Sequence, residues 1–136
     1  MRVISDTTII SNLVQIDELE ILERLYSEVI IPVSVYDELQ ILVDRGIVSR
    51  GELEVDWIIV KSVVSHDMVS DLLNRLDLGE SESIILGMEL NADYLLIDEK
   101  SGRMEGVKRG MKIIGTLGIL IKAKQSGFIN SVEMKI

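Results

Sequence analysis

Short aliphatic runs, set between longer segments of helical period, constrain this chain more than any other feature. Arg2–Ser5 (RVIS), Glu28–Ile31 (EVII), Trp57–Val60 (WIIV), Tyr94–Ile97 (YLLI) and Lys112–Ile114 (KII) have the composition of strands. Several lack polar–apolar alternation, as expected for strands covered on both faces. Between them Leu19, Leu22, Leu25 and Tyr26 recur at helical spacing, as do Val35, Leu39, Leu42 and Val43. Ile84, Ile85 and Met88 continue the pattern, and Leu117, Leu120 and Ile121 repeat it near the end. This alternation predicts an α/β domain with a parallel sheet.

The punctuation agrees. The only proline, Pro32, follows the second run and opens a helix near Val33, where a fixed φ and a missing N–H cost little. Asp77 and Glu80 have the spacing of a capping box ahead of the helix that carries Ile84. Arg45–Glu54, with mixed charge and two glycines, reads as an irregular excursion. Without a repeat or linker, the 136 residues read as one domain, 1–136.

Composition removes several classes of function. No apolar run approaches the roughly 18 residues of a membrane span, and MRVISD does not resemble an export signal. The absence of cysteine excludes disulfides and thiolate metal sites and suits the cytoplasm. A formal charge of −9 argues against simple electrostatic capture of nucleic acid, though not against an enzyme that holds metal ions. Aromatic residues at 4% are too few for base-stacking platforms.

Carboxylates fall where a parallel sheet would gather them. Active sites of such sheets lie outside the carboxyl ends of the strands. The first run ends in Ser5-Asp6-Thr7-Thr8 and the fourth in Asp98-Glu99; the helix after Pro32 carries Asp37 and Glu38, and the next acidic helix begins with Glu80. Oxygen ligands of this kind suit Mg²⁺ or Mn²⁺, and a pair of such ions can activate water and stabilise the leaving oxygen of a phosphodiester. Each residue has a plainer reading: Asp6 as a helix cap, Glu38 as a solvated helix residue, Asp98 as a turn residue and Glu80 as half of the capping box. Glu82 reads as an exposed or first-turn helix residue, with Asp37 and Glu99 as solvated neighbours. His66, the single histidine, reads as a surface or cap residue.

DTT after the first strand, IPVSVYDEL after the second, LGESESIILGMELNAD, LLIDEKSGR and IIGTLGILIKAK together resemble the PIN-domain superfamily, in particular a PIN-like subfamily described as nucleic-acid-binding. The resemblance runs from Val3 to about Phe128. It implies a three-layer α/β/α sandwich around a central parallel sheet of about five strands, and a ribonuclease site dependent on Mg²⁺ or Mn²⁺. Carried over residue by residue, it assigns the metal-holding, catalytic positions to Asp6, Glu38, Glu80 and Asp98, and matches Thr7 to the hydroxyl residue after the first aspartate. Glu80 stands where relatives usually have aspartate. Many relatives are toxins paired with a small antitoxin protein, which implies RNA as substrate and an antitoxin as partner.

Lys100 and Arg103, beside Asp98, are candidates for contacting substrate phosphates, against the alternative of a solvated basic turn. The short, apolar-rich chain and the resemblance both point to a homodimer, with Lys122 and Lys124 spread around a shared groove. Two rival chemistries fit poorly. Aspartyl phosphotransfer needs a second aspartate where Thr8 stands, and a receiver domain needs a lysine ending the fifth strand, where Gly115-Thr116 follows instead. A PIN-like module that docks a partner without catalysis is the rival from another class.

Overall fold

A computed structural model of the chain describes residues 1–129. Five parallel strands form one sheet: β1 (Val3–Ser5), β2 (Val29–Pro32), β3 (Ile58–Lys61), β4 (Tyr94–Leu96) and β5 (Ile113–Ile114), in the order β3-β2-β1-β4-β5. Around it lie α1 (Thr7–Gln15), α2 (Ile21–Tyr26), α3 (Val33–Asp44), α4 (Arg50–Leu53), α5 (His66–Leu72), α6 (Leu78–Glu89), α7 (Lys100–Lys108) and α8 (Thr116–Gln125). Each expected strand is present, shifted by a residue or two at its ends.

The layers follow from chain direction. Parallel crossovers are right-handed, so reversing the direction of travel across the sheet moves the connecting helices to the other face. The path steps outward from β1 to β2 to β3, then returns past β1 to β4 and on to β5. Two buried clusters result. Ile9, Ile10 and Leu13 of α1, Leu22 of α2, Val35 and Leu39 of α3 and Leu120 of α8 pack with Val3, Val29, Ile31 and Leu96. Val69 and Leu72 of α5 and Ile84 and Ile85 of α6 pack with Ile4, Ile30, Leu95 and Ile97. Successive strand residues serve opposite faces, which explains the unalternating runs. The result is the expected three-layer α/β/α arrangement.

Several local expectations need adjustment. Pro32 closes β2 instead of following it, and as the N-cap it precedes α3, which begins at Val33 as expected. The Arg45–Glu54 excursion contains the single turn α4. The basic segment after Asp98 is the first turn of α7, not an irregular turn. α7 was hard to anticipate because its buried positions are Gly102, Glu105 and Gly106, which leave no apolar stripe.

Candidate active site

β1 and β4 are neighbours that lead to helices on opposite faces, so a crevice opens between their carboxyl ends. Such a switch point is the usual ligand site of an open parallel sheet. Asp6 stands there immediately after β1, its amide bonded to the Leu96 carbonyl at 3.0 Å. It occupies the N-cap position of α1, yet its side chain makes no capping hydrogen bond. The plain capping reading therefore does not account for it. The residue is only 5% exposed, and Asp77, Glu38 and Glu80 are close enough to act on its charge.

Glu38 arrives from the second turn of α3, and one of its oxygens accepts the Thr7 hydroxyl at 2.6 Å. Thr7 thus orients a carboxylate with its hydroxyl, and its amide also meets the Asp6 carboxylate. Glu80 arrives on the first turn of α6. It completes the capping box: its amide donates to Asp77 Oδ1 at 2.8 Å, and its Oε1 accepts the Asp77 amide at 3.2 Å. Its other oxygen, Oε2, faces the backbone of Gly102 on α7, and the residue is almost fully buried. Cap and crevice are both served by the one side chain.

Gly79 sets the spacing. A Cβ there would lie 2.7 Å from Glu38 Oε1 and 3.1 Å from Asp6 Oδ1, so any side chain would invade the gap between the carboxylates. Electrostatics record the crowding. Burial raises Asp6 from 3.8 to about 7, with the charges of Asp77, Glu38 and Glu80 adding to the effect against the Thr7 amide. Burial likewise raises Glu38, helped by repulsion from Asp77 and Glu82 and opposed by Thr7 and the Gly79 amide. Glu80 is raised by burial too, with Asp77 and Glu99 contributing repulsion. Among the described residues, no lysine or arginine closes a salt bridge with any of these carboxylates.

Asp98 is brought to the same edge but turned to the other side. Strand alternation puts it on the Leu96 side of the sheet, and there it is held by three donors. Asn12 of α1 donates to its Oδ2 at 3.0 Å, the Thr116 amide to its Oδ1 at 2.7 Å, and the Thr116 hydroxyl also to Oδ2. Three of the four expected carboxylates thus lie close together, and Asp98 flanks them at the N-terminus of α8. Asn12 and Thr116 were missed in the sequence; the only signal was a hydroxyl residue two positions after the fifth strand.

Of two further acidic neighbours, one departs from expectation. Glu82 is no free surface residue: its Oε1 accepts the Ser34 amide at 3.1 Å, tying α6 to the N-terminus of α3. Glu99, at the N-cap position of α7, is exposed but near enough to raise Glu80. Lys100 and Arg103 are exposed on the first turn of α7. Lys122 and Lys124 lie far from the crevice. α8 starts at the carboxyl edge and runs back toward the amino ends of the strands, where Lys122 sits 4.4 Å over the ring of Tyr94, the first residue of β4.

The donor set suits a hard divalent cation. It consists of carboxylates alone, in salt bridges with no cation among the described residues and spaced by a glycine. A carboxylate has about four lone-pair sites, so the bonds to Thr7 and Asp77 leave acceptor capacity. Among the described residues, however, no three such side chains are drawn in to the spacing of a closed metal site. None of the helices described is long and apolar enough to cross a membrane.

Comparison with known proteins gives one result that covers the chain. No curated protein matches it, but a family model described as PIN domain matches residues 2–136. That span takes in the whole five-stranded parallel sheet and every carboxylate of the crevice, and the chain belongs to the PIN domain family.

Proposed function

We propose that this PIN domain is a Mg²⁺- or Mn²⁺-dependent endoribonuclease, the toxin of a toxin–antitoxin pair, acting in the cytoplasm as a homodimer. PIN domains are generally nucleases, which gives the reaction class. The observation that supports metal dependence is a set of three carboxylates from three separate elements, Asp6 and Glu80 buried and Glu38 half-buried, with no basic partner among the described residues. Asp6, Glu38 and Glu80 would hold the cation, with Asp98 beside them. The bound cation supplies an activated water and charge stabilisation at the phosphodiester. The chain's own residues do the positioning. Thr7 holds Glu38, the capping box holds Glu80, and Asn12 and Thr116 hold Asp98.

The test is cleavage of labelled single-stranded RNA by purified protein. Cleavage is expected with Mn²⁺ or Mg²⁺ and not in chelator, and Asp6→Asn should abolish it while the fold survives. Equal cleavage in chelator would refute the metal-dependent reading. Light scattering over a concentration series tests the dimer, which a mass fixed at 15.2 kDa would refute. Co-expression with the product of an adjacent small gene tests the antitoxin.

A binding module without catalysis is the second reading, favoured by one observation. One oxygen of Glu80 is used by its own helix cap, and the carboxylates are not drawn into a closed group. That reading predicts no cleavage in any divalent cation.

A further inference from the structure

α7 packs in an unusual orientation. Its small residues face the sheet: a Cβ on Gly102 would meet Ile97 Cδ1 at 2.5 Å, and one on Gly106 would meet Ile113 Cδ1 at the same distance. Its larger residues therefore point outward. Lys100, Arg103, Met104, Val107 and Lys108 stand at i, i+3, i+4, i+7 and i+8, the spacing of a single helical face. In most helices that stripe is the buried one. Here Met104 is 63% and Val107 62% exposed.

This face and Ile113 of the edge strand β5 line a groove of about 750 Å³ with Asp98 at its head. Three cations and three apolar side chains thus share one channel that starts at Asp98, beside the acidic crevice. Among the described residues, none of Lys100, Arg103 and Lys108 closes a salt bridge, whereas Arg109 on the same helix is bound to Glu105. Residues 100–112 hold five of the chain's fourteen lysines and arginines, in a protein whose net charge is −9. The local field, not the total charge, decides where a polyanion approaches. Gly115 keeps the head of the channel open: a Cβ there would lie 2.8 Å from Asp98 Oδ1 and 3.9 Å from the Arg103 guanidinium.

We propose that the α7–β5 groove carries a single-stranded nucleic acid to the crevice. Arg103 and Lys100 contact phosphates beside Asp98, and Lys108 contacts one about 12 Å further along the helix. Met104 and Val107 lie between these cations, where a strand with phosphates on the lysines would lay its bases. A duplex keeps its bases stacked inside and would leave those two side chains in water, so the channel fits a single strand. With no aromatic residue in it, the groove contacts bases by aliphatic packing and has little preference among them. That the strand is RNA rests on the nuclease reading above; the groove itself selects a flexible polyanion.

Fluorescence anisotropy of labelled 12-nucleotide uridine RNA and thymidine DNA, in chelator so that nothing is cut, tests this over a salt series. Arg103→Ala, Lys100→Ala and Lys108→Ala should each weaken RNA binding, and each should flatten the log–log salt slope by about 0.7. Met104→Ser with Val107→Ser should weaken binding and leave the slope unchanged. Arg24→Ala, on α2, should change neither. Circular dichroism confirms that each exposed variant is folded. Unchanged affinity and slope in all the α7 variants would overturn the proposal. So would a dimer that dissociates in the Met104/Val107 variant with RNA binding intact, since the face would then be a protein interface. Variants that lose RNA binding in a protein that never cleaves with Mn²⁺ would keep the groove and refute the nuclease. Cleavage with KM unaltered by the α7 variants would do the reverse. DNA bound as tightly as RNA supports the groove and leaves the choice of sugar to the crevice.

Discussion

Two sites in this molecule bury carboxylates, and they treat them in opposite ways. Glu105, on the buried side of α7, lies between Arg75 at 2.6 Å and Arg109 at 2.7 Å. These partners hold it below its ordinary range, the Arg109 hydrogen bond most of all. Asp6 exposes as little of its surface, and it is raised to about 7 by burial first and then by the charges of Asp77, Glu38 and Glu80, with no cation beside it among the described residues. A buried charge is tolerated when it is paired and hydrogen-bonded, and is costly otherwise. Glu105 therefore reads as part of the scaffold. In the Asp6 crevice, among the described residues, only the Thr7 amide opposes burial and repulsion, which supports the proposed cation site.

The sharpest way to break this contrast is exchange at position 6. Asp6→Asn should lower RNA cleavage by at least about 100-fold, more than the loss usual for a residue that merely supports a metal ligand. At neutral pH in chelator the same variant should melt at a higher temperature than the parent. An Asp6→Asn protein that is active, or that is destabilised under those conditions, would place Asp6 with Glu105 as a structural carboxylate.

Divalent cation should act on one site and not the other. Mn²⁺ at 100 times its dissociation constant would stabilise the parent by about 2.7 kcal/mol, roughly 10 °C in melting temperature for a domain of this size. Asp6→Asn should lose most of that shift. Glu105→Ala should keep it, starting from a lower melting point. A melting temperature indifferent to Mn²⁺ and Mg²⁺ would favour the binding-module reading.

Glu105→Ala is expected to cost about 1–3 kcal/mol, measured by urea unfolding, because two charge-assisted hydrogen bonds are lost. Arg75 is largely exposed, so it can return to water, and the loss stays below that for a fully buried pair. Cleavage per folded molecule should not change.

The pH dependence differs in sign between the two sites. Unfolded, Asp6 loses its proton near pH 4; folded, it keeps it to about pH 7. The native state thus binds more protons in that window, and stability falls as pH rises through it. Glu105 is lowered instead, so its contribution is present above pH 4.5 and is lost as pH falls toward its folded value. Subtracting the Asp6→Asn profile from the parent's should reveal a decline between about pH 4 and 7, and subtracting that of Glu105→Ala a rise at more acid pH. Profiles of the same sign would remove the distinction.

The sequence by itself determined the elements and their class. Strand runs and helical stripes are written in residues a few positions apart, and so is the Asp77–Glu80 capping box, because their hydrogen bonds are local. The convergence of Asp6, Glu38 and Glu80 was legible for a related reason: each lies at a strand end or on a helix turn next to one, and a parallel sheet gathers those ends. Tertiary structure alone decided the partners of side chains far apart in the chain. Asp98 turns to Asn12 and Thr116 because it falls on the opposite strand parity from Asp6. Glu82 meets the Ser34 amide because two helices happen to dock at that point. α7 turns its glycines inward because only they let its backbone approach Ile97 and Ile113. Such choices depend on register and packing between residues tens of positions apart, and no local pattern carries them.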